Sequence, residues 1–222
     1  MNGYKKCNNL KEQFNRMSVI LLGTNNRKKG VELLELLSPY KIAVHTLSDF
    51  KSKVDVIEDG KSFMENARKK AIEHARFFKM LTIGEDSGLS VDALNGEPGI
   101  YSARFASILS SNSNASDELN NELLLTKLSG VTLESRTAFY TCAAAVADAD
   151  GKIIGEAEEY CQGRILFELS GESGFGYDPL FEIVEYHKTF GVLNASIKKA
   201  ISHRARAMRK LIPIIVNAAL EQ

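Results

Sequence analysis

The sequence predicts an α/β fold on two observations. Short apolar runs alternate with stretches of helical period: residues 17–22 precede a segment in which Val31, Leu34 and Leu37 recur at helical spacing, and a helix at 62–78 precedes the apolar residues 81–84. Further on, residues 137–147 and 152–161, joined at Asp148-Ala149-Asp150-Gly151, read as a long hairpin with an Asp-Gly turn signal.

Each element has its own reason. Residues 1–16 are polar and without period, as expected of a flexible N-terminal extension, and leave residues 17–222 as a single bilobed domain. The first strand runs into Gly23-Thr24-Asn25-Asn26-Arg27-Lys28-Lys29 and then a helix, an arrangement that aims backbone N–H groups and a helix dipole at a phosphate. A plain strand-to-helix turn with a solvated basic face reads the same way, and no Walker loop is present. Residues 41–47 alternate as a second strand. Ser62-Phe63-Met64-Glu65 has the form of a capping box, and Phe63, Ala67, Ala71, Ala75 and Phe78 make one stripe along the helix it starts. Lys70 lies on that stripe, where a lysine either snorkels or meets an anion.

The strand at 81–84 runs into Glu85-Asp86-Ser87-Gly88, read as two carboxylates and a turn. Ligands collect at the carboxyl ends of strands in α/β sheets, so Asp86 is the candidate to hold a metal or activate water, with Glu85 on the opposite face. On its own, Asp-Ser-Gly also makes an ordinary Asx turn. A short helix at 100–105, a serine- and asparagine-rich loop at 109–115 and an amphipathic helix at 118–128 lead to the hairpin. Residues 171–179 then form a glycine-rich loop with two aromatic rings, suited to close approach to something flat or to packing its own rings. From Ser196 the chain is helical. Ser202 caps a second segment with His203 and Arg204 in its first turn, where cations oppose the dipole and a bound anion would explain them, and Pro213 kinks its tail.

Composition narrows the function. With 28 basic and 28 acidic residues among 222, no global field recruits nucleic acid or an anionic membrane, so any anion site is local. Cys7, Cys142 and Cys161 have no C-x-x-C spacing and are odd in number, which argues against a disulfide framework or a zinc site and fits a reducing cytoplasm. The first apolar run is too short for a signal peptide or a membrane span.

Taken together, Thr24-Asn25 with Lys28, the helix carrying Phe63, Glu65, Asn66, Ala67, Lys70 and Ala71, the run Asp86-Ser87-Gly88-Leu89, Pro98-Gly99-Ile100-Tyr101-Ser102-Ala103-Arg104, Gly174-Phe175-Gly176-Tyr177-Asp178-Pro179 and Ile201-Ser202-His203-Arg204 resemble the inosine/xanthosine triphosphate pyrophosphatase family. The resemblance spans residue 17 to about 212. It implies an elongated mixed central β-sheet flanked by helices, in two lobes around a long nucleotide-binding cleft, and usually a homodimer. It also implies Mg²⁺-dependent hydrolysis of ITP, dITP or XTP to the monophosphate and pyrophosphate. Rival readings are a pyrophosphatase for modified pyrimidine triphosphates and a non-catalytic nucleotide-binding regulator. By motif, Asp86 would be the proton acceptor and a magnesium contact, with Glu58 as the second acidic metal candidate. Gly23, Thr24, Asn25, Asn26, Arg27, Lys28 and Lys70 would hold the triphosphate. Ser87, Phe175, Gly176, Tyr177, Asp178, Lys198, His203 and Arg204 would embrace the nucleotide, with Phe175 stacking on the base and His203 or a backbone N–H of the Phe175 loop reading its six position. Three positions depart from the family pattern: Gly23-Thr24-Asn25 replaces Thr-Gly-Asn, Glu85 replaces the first of two aspartates, and Ala205 replaces a glycine.

Overall fold

The computed structural model describes residues 18–52, 54–109 and 116–220. The extension at 1–16 and positions 110–115 of the serine-rich loop lie outside the described residues. Seven strands form one mixed sheet in the order β2-β1-β3-β4-β5-β6-β7, where β1 is Val19–Leu22, β2 Ala43–Thr46, β3 Thr82–Val91, β4 Thr137–Ala147, β5 Ile153–Ile165, β6 Phe181–Ile183 and β7 Lys188–Thr189. The helices are α1 (Arg27–Leu37), α2 (Phe63–Phe78), α3 (Asp117–Lys127), α4 (Ala195–Ile201) and α5 (His203–Leu220).

The site is positioned by how the first three strands meet. β1 pairs in parallel with β2 on one side and β3 on the other, so successive crossovers leave in opposite directions and a crevice opens at the carboxyl end of β1. Only Leu21 and Leu22 pair with β3, opposite Thr82 and Ile83, so from Gly84 onward β3 outruns its parallel neighbour. On its other edge β3 stays paired with β4 along its whole length. Asp86-Ser87-Gly88 is therefore mid-strand, and the expected turn is absent. The antiparallel ladder that sets Asp86 against Ala143 and Ser87 against Cys142 supplies the backbone partners a turn would have provided. A Cβ at Gly88 would collide with Ser102 Oγ and the Gly99 carbonyl, so its glycine serves close approach.

The alternation of β4 settles the ambiguous alanine run as strand. Ala143, Ala145 and Ala147 face α2, whose Ala67, Ala71 and Ala75 are fully buried against them. Cys142, Ala144 and Val146 face the opposite layer, packing with Ile20, Leu22, Met208 and Leu211. A second core, around Leu89, Leu124, Phe181 and Phe190, fills the far end of the sheet. Ser62 caps α2 by accepting from the Glu65 amide at 3.2 Å, while the Glu65 carboxylate accepts from the Lys61 amide at 2.7 Å, one residue away from an ideal capping box. Pro213 lies inside α5, which continues to Leu220.

Small residues bring α2 close enough to matter for the site. A Cβ at Gly84 would fall inside the contact distance of the Ala67 carbonyl oxygen and the Ala71 amide nitrogen, so the helix backbone rests directly on β3. Gly84→Ala must push α2 off the sheet, and overpacking of this kind costs about 1–3 kcal/mol or more. Urea unfolding of Gly84→Ala should report that loss.

Candidate active site

The twofold alternation of β3 sorts its polar residues onto two faces. Toward α2, the Asp86 carboxylate accepts from Lys70 Nζ at 3.1 Å and from Asn66 Nδ2 at 3.1 Å. Lys70 Nζ also donates to Glu58 Oε2 at 2.9 Å, and Asn66 Oδ1 accepts from the Gly60 amide at 2.8 Å, which ties the 58–60 loop to Asp86. Lys70 lies on the buried stripe of α2 and meets anions there. On the opposite face, Glu85 is buried and takes Arg204 Nε and Nη2, both at 3.0 Å, and Lys29 Nζ at 3.4 Å. Ser87, two residues on, accepts from Arg204 Nη2 at 3.1 Å and Lys29 Nζ at 3.3 Å. Glu32 of α1 accepts from Arg204 Nη1 at 2.7 Å and lies 3.5 Å from Lys198 Nζ.

This second face opens into a cavity of about 170 Å³. Asn26, Lys29, Ser87, Gly88, Ser102, Ala103, Asp117, Tyr140, Phe175, Gly176, Tyr177, Asp178, Lys198, His203 and Arg204 line it. Its aromatic loop is shaped by Gly174 (φ +85°) and Gly176 (φ +61°), left-handed positions that suit glycine. Asp178 accepts from the Phe175 amide at 2.9 Å and Lys198 Nζ at 2.7 Å. Asp117 accepts from the Gly176 amide at 2.7 Å, and Asn121 Nδ2 donates to the Gly176 carbonyl at 3.0 Å. Lys28 Nζ, Lys198 Nζ and the Arg204 guanidinium stand 5.7, 5.2 and 5.5 Å from the Phe175 ring centroid, and Lys28 also donates to the Gly174 carbonyl at 2.8 Å. Tyr140 stacks on His203 at 4.7 Å and 10°.

Burial and neighbours set the charges. Burial raises the Asp86 carboxyl above its ordinary value, and Lys70 and Asn66 only partly offset this. Burial acts against the charged form of Glu85 too, but Arg204 and Lys29 outweigh it and hold that carboxyl well below the usual range. Burial, then the adjacent Arg204, drives the His203 imidazole well below its ordinary value, so it is neutral at pH 7, and its Nδ1 is buried without a partner.

A fold with this crevice, this pair of carboxylates and this cation cluster has recognisable relatives. The Ham1 family model matches residues 20–214, almost the whole described chain. The chain belongs to the Ham1 family. It is 49% identical to a dITP/XTP pyrophosphatase of Rhodopirellula baltica over 203 residues, covering 91% of this chain and 95% of that protein. A dITP/XTP pyrophosphatase of Desulforamulus reducens is 45% identical, with 91% and 98% covered. Among solved structures, a HAM1 protein from Coxiella burnetii superposes with a TM-score of 0.79 at 31% identity over 90% of this chain and 100% of that one. The Staphylococcus aureus Ham1 protein gives 0.76 at 36% identity, with 89% and 97% covered.

In this Ham1 chain the residues singled out from sequence divide into three groups. Asn26, Ser87, Phe175, Gly176, Tyr177, Asp178, Lys198, His203 and Arg204 share the cavity. Glu58, Lys70 and Asp86 meet one another on the other face of β3. Gly23 and Thr24 build the loop between them: Gly23 donates its amide to Ile83, Thr24 Oγ1 accepts from the Asn26 amide at 3.1 Å, and Asn26 caps α1 through the Lys28 and Lys29 amides. Asn25, Arg27 and Lys28 are exposed beside it. The cap uses two of the amides expected to face a phosphate, because Asn at this position finds its own helix first. The amides of Phe175 and Gly176 are likewise taken internally, while Nδ1 of His203 has no partner. Sequence reasoning missed Lys29, Asn66, Asp117, Asn121 and Tyr140. Lys29 and Asn66 had left a trace without a role of their own, the first in the loop expected to face a phosphate and the second in the motif on the helix of Lys70.

Glu85→Gln leaves Arg204 with Glu32 as its one carboxylate partner and should destabilise the protein by about 1–3 kcal/mol at pH 7. Because the Glu85 pKa is depressed on folding, its contribution is full above the ordinary glutamate value of about 4.3 and is lost as pH falls through the folded value. Urea melts of wild type and variant should therefore draw together only in acid.

Proposed function

We propose that this chain hydrolyses non-standard purine nucleoside triphosphates, ITP, dITP and XTP, to the monophosphate and pyrophosphate. The observation that carries the reading is the meeting of Asp86, Lys70 and Glu58 next to a cation-lined aromatic cavity. The names of its Ham1 relatives support the substrate class. In this reading residues 17–222 act as one bilobed domain, working as a homodimer in the cytoplasm. Cys142 and Cys161, buried and free among the described residues, agree with the last point.

The residues present fit Mg²⁺. Glu58 and Asp86 offer hard oxygen donors that already share one cation, the Lys70 ammonium, at 2.9 and 3.1 Å. Mg²⁺ takes one or two carboxylates and completes its shell with phosphate oxygens and water, so two such donors suffice. When bound there, Mg²⁺ would neutralise phosphate charge and lower the pKa of an adjacent water. Asp86, its basicity raised by burial, accepts the proton of the attacking water, and Asn66 and Lys70 fix its orientation. Lys70 and Lys28 hold the triphosphate, and Lys198 and Arg204 face the nucleotide. Phe175 covers the base. Neutral His203, with an unpartnered Nδ1, faces its polar edge.

Purified protein with Mg²⁺ and ITP should yield IMP and pyrophosphate. IDP and phosphate would overturn the assigned cleavage, preference for modified pyrimidine triphosphates would favour the pyrimidine reading, and bound but uncleaved ITP a regulator. Asp86→Asn should fold and lose turnover by several orders of magnitude.

A further inference from the structure

We propose that His74 is a positioning residue whose imidazole fixes the spacing between Lys70 and the loop that begins at Gly23. These are the two sides that would grip the triphosphate, so the inference rests on the reading above. His74 has no part in the chemistry described so far, yet it is only 2% exposed, packed where β1 gives way to that loop. A Cβ built on Gly23 would stand 2.6 Å from its Nδ1 and 3.4 Å from its Cε1, the first far inside contact distance. Backbone conformation is not the reason for glycine here, because Gly23 is not among the left-handed positions that favour one. The Ile83 carbonyl oxygen would lie at 3.4 Å, an ordinary contact, so it is the ring alone that bars a side chain. The departure at 23–24, where glycine and threonine stand in the order opposite to the family pattern, has its physical cause here: with His74 in place, residue 23 has no room for a side chain.

The place of His74 along α2 turns a packing contact into a spacer. It follows Lys70 by one helical turn, so the two side chains lie on one face of the helix. Beside Lys70, the helix backbone at Ala67 and Ala71 already rests on Gly84 of β3. α2 is thus seated on Gly84 next to Lys70 and on Gly23 one turn further along. The loop is held from its other side as well: the Gly23 amide donates to the Ile83 carbonyl at 2.8 Å, and the Thr24 carbonyl accepts from the Leu47 amide at 3.1 Å. It can neither recede from the helix nor approach it past the imidazole. Burial holds that imidazole below its ordinary value, so it is neutral at pH 7 and adds no charge to the contact. Its contribution is its shape, and shape is enough, since misplacing a binding group by about 1 Å can cost about 100-fold in rate.

Two substitutions and their combination test this. Gly23→Ala should lower kcat/KM for ITP about 100-fold by displacing the loop, and His74→Ala, which removes the spacer without pushing anything aside, about threefold. In the double variant the methyl enters vacated space, so kcat/KM should return to within about threefold of His74→Ala alone, the non-additivity that contacting residues show. Binding of inorganic pyrophosphate, read by calorimetry, should weaken and recover in the same order, while binding of inosine stays as in wild type throughout. A merely structural contact would move the urea midpoint and leave pyrophosphate binding by the folded variants unchanged, and that result would overturn the proposal. So would a double variant no better than Gly23→Ala. Should Gly23→Ala fail to fold, the double variant is compared with His74→Ala instead: near-equality supports the proposal, and a further loss of about tenfold or more on adding the methyl overturns it. Wild-type protein that left ITP uncleaved would remove the function and leave the coupling readable from pyrophosphate binding, so the two failures are distinguishable.

Discussion

The site depends on a strand that is longer than its neighbour. Where β1 stops at Leu22, β3 continues with Glu85, Asp86 and Ser87, and the pleat sends successive side chains to opposite sides. Glu85 is thereby delivered to α5 and Asp86 to α2, without any loop having to hold them. A register slip of one residue would exchange the two faces and leave both carboxylates with the wrong partners, and the ten paired positions between β3 and β4 prevent it.

The two carboxylates differ because their surroundings differ. Glu85 is enclosed by a guanidinium that sets two nitrogens on one carboxylate oxygen and by an ammonium on the other, so burial is overcome and the carboxylate stays charged. Asp86 has one ammonium, which it shares with Glu58, and one amide, so burial prevails and its affinity for a proton rises. A structural anion and a base of raised strength therefore stand side by side in the chain. The distinction follows from counting cations on each face.

Much of the architecture was legible because it follows from short-range pattern. The hairpin, the extent of α2 with its alanine stripe, and the anion met by Lys70 all follow from periodicity and from the rule that buried charges are paired. The conformation of Asp86-Ser87-Gly88 was not legible. Its composition is that of a turn, and only the distant β4, some 55 residues on, supplies the ladder that keeps it extended. Lys29 was hidden for a related reason. Three consecutive cations look alike in a sequence, and which one turns inward is decided by where Glu85 emerges from a strand formed much later in the chain. Asp117 and Asn121 escaped notice because their partner is a backbone group of a remote loop, which no side-chain pattern announces.

That last pair has a consequence for how the cavity receives a guest. The backbone of Gly176 is moored to α3 on both sides of its Cα, its amide by Asp117 and its carbonyl by Asn121, with Asp178 pinning the amide before it. The loop bearing Phe175 thus surrenders its backbone freedom when the chain folds, not when a molecule arrives. Encounter then has only side-chain torsions left to order, and the affinity of the cavity is not diluted by the entropy of closing a loose flap.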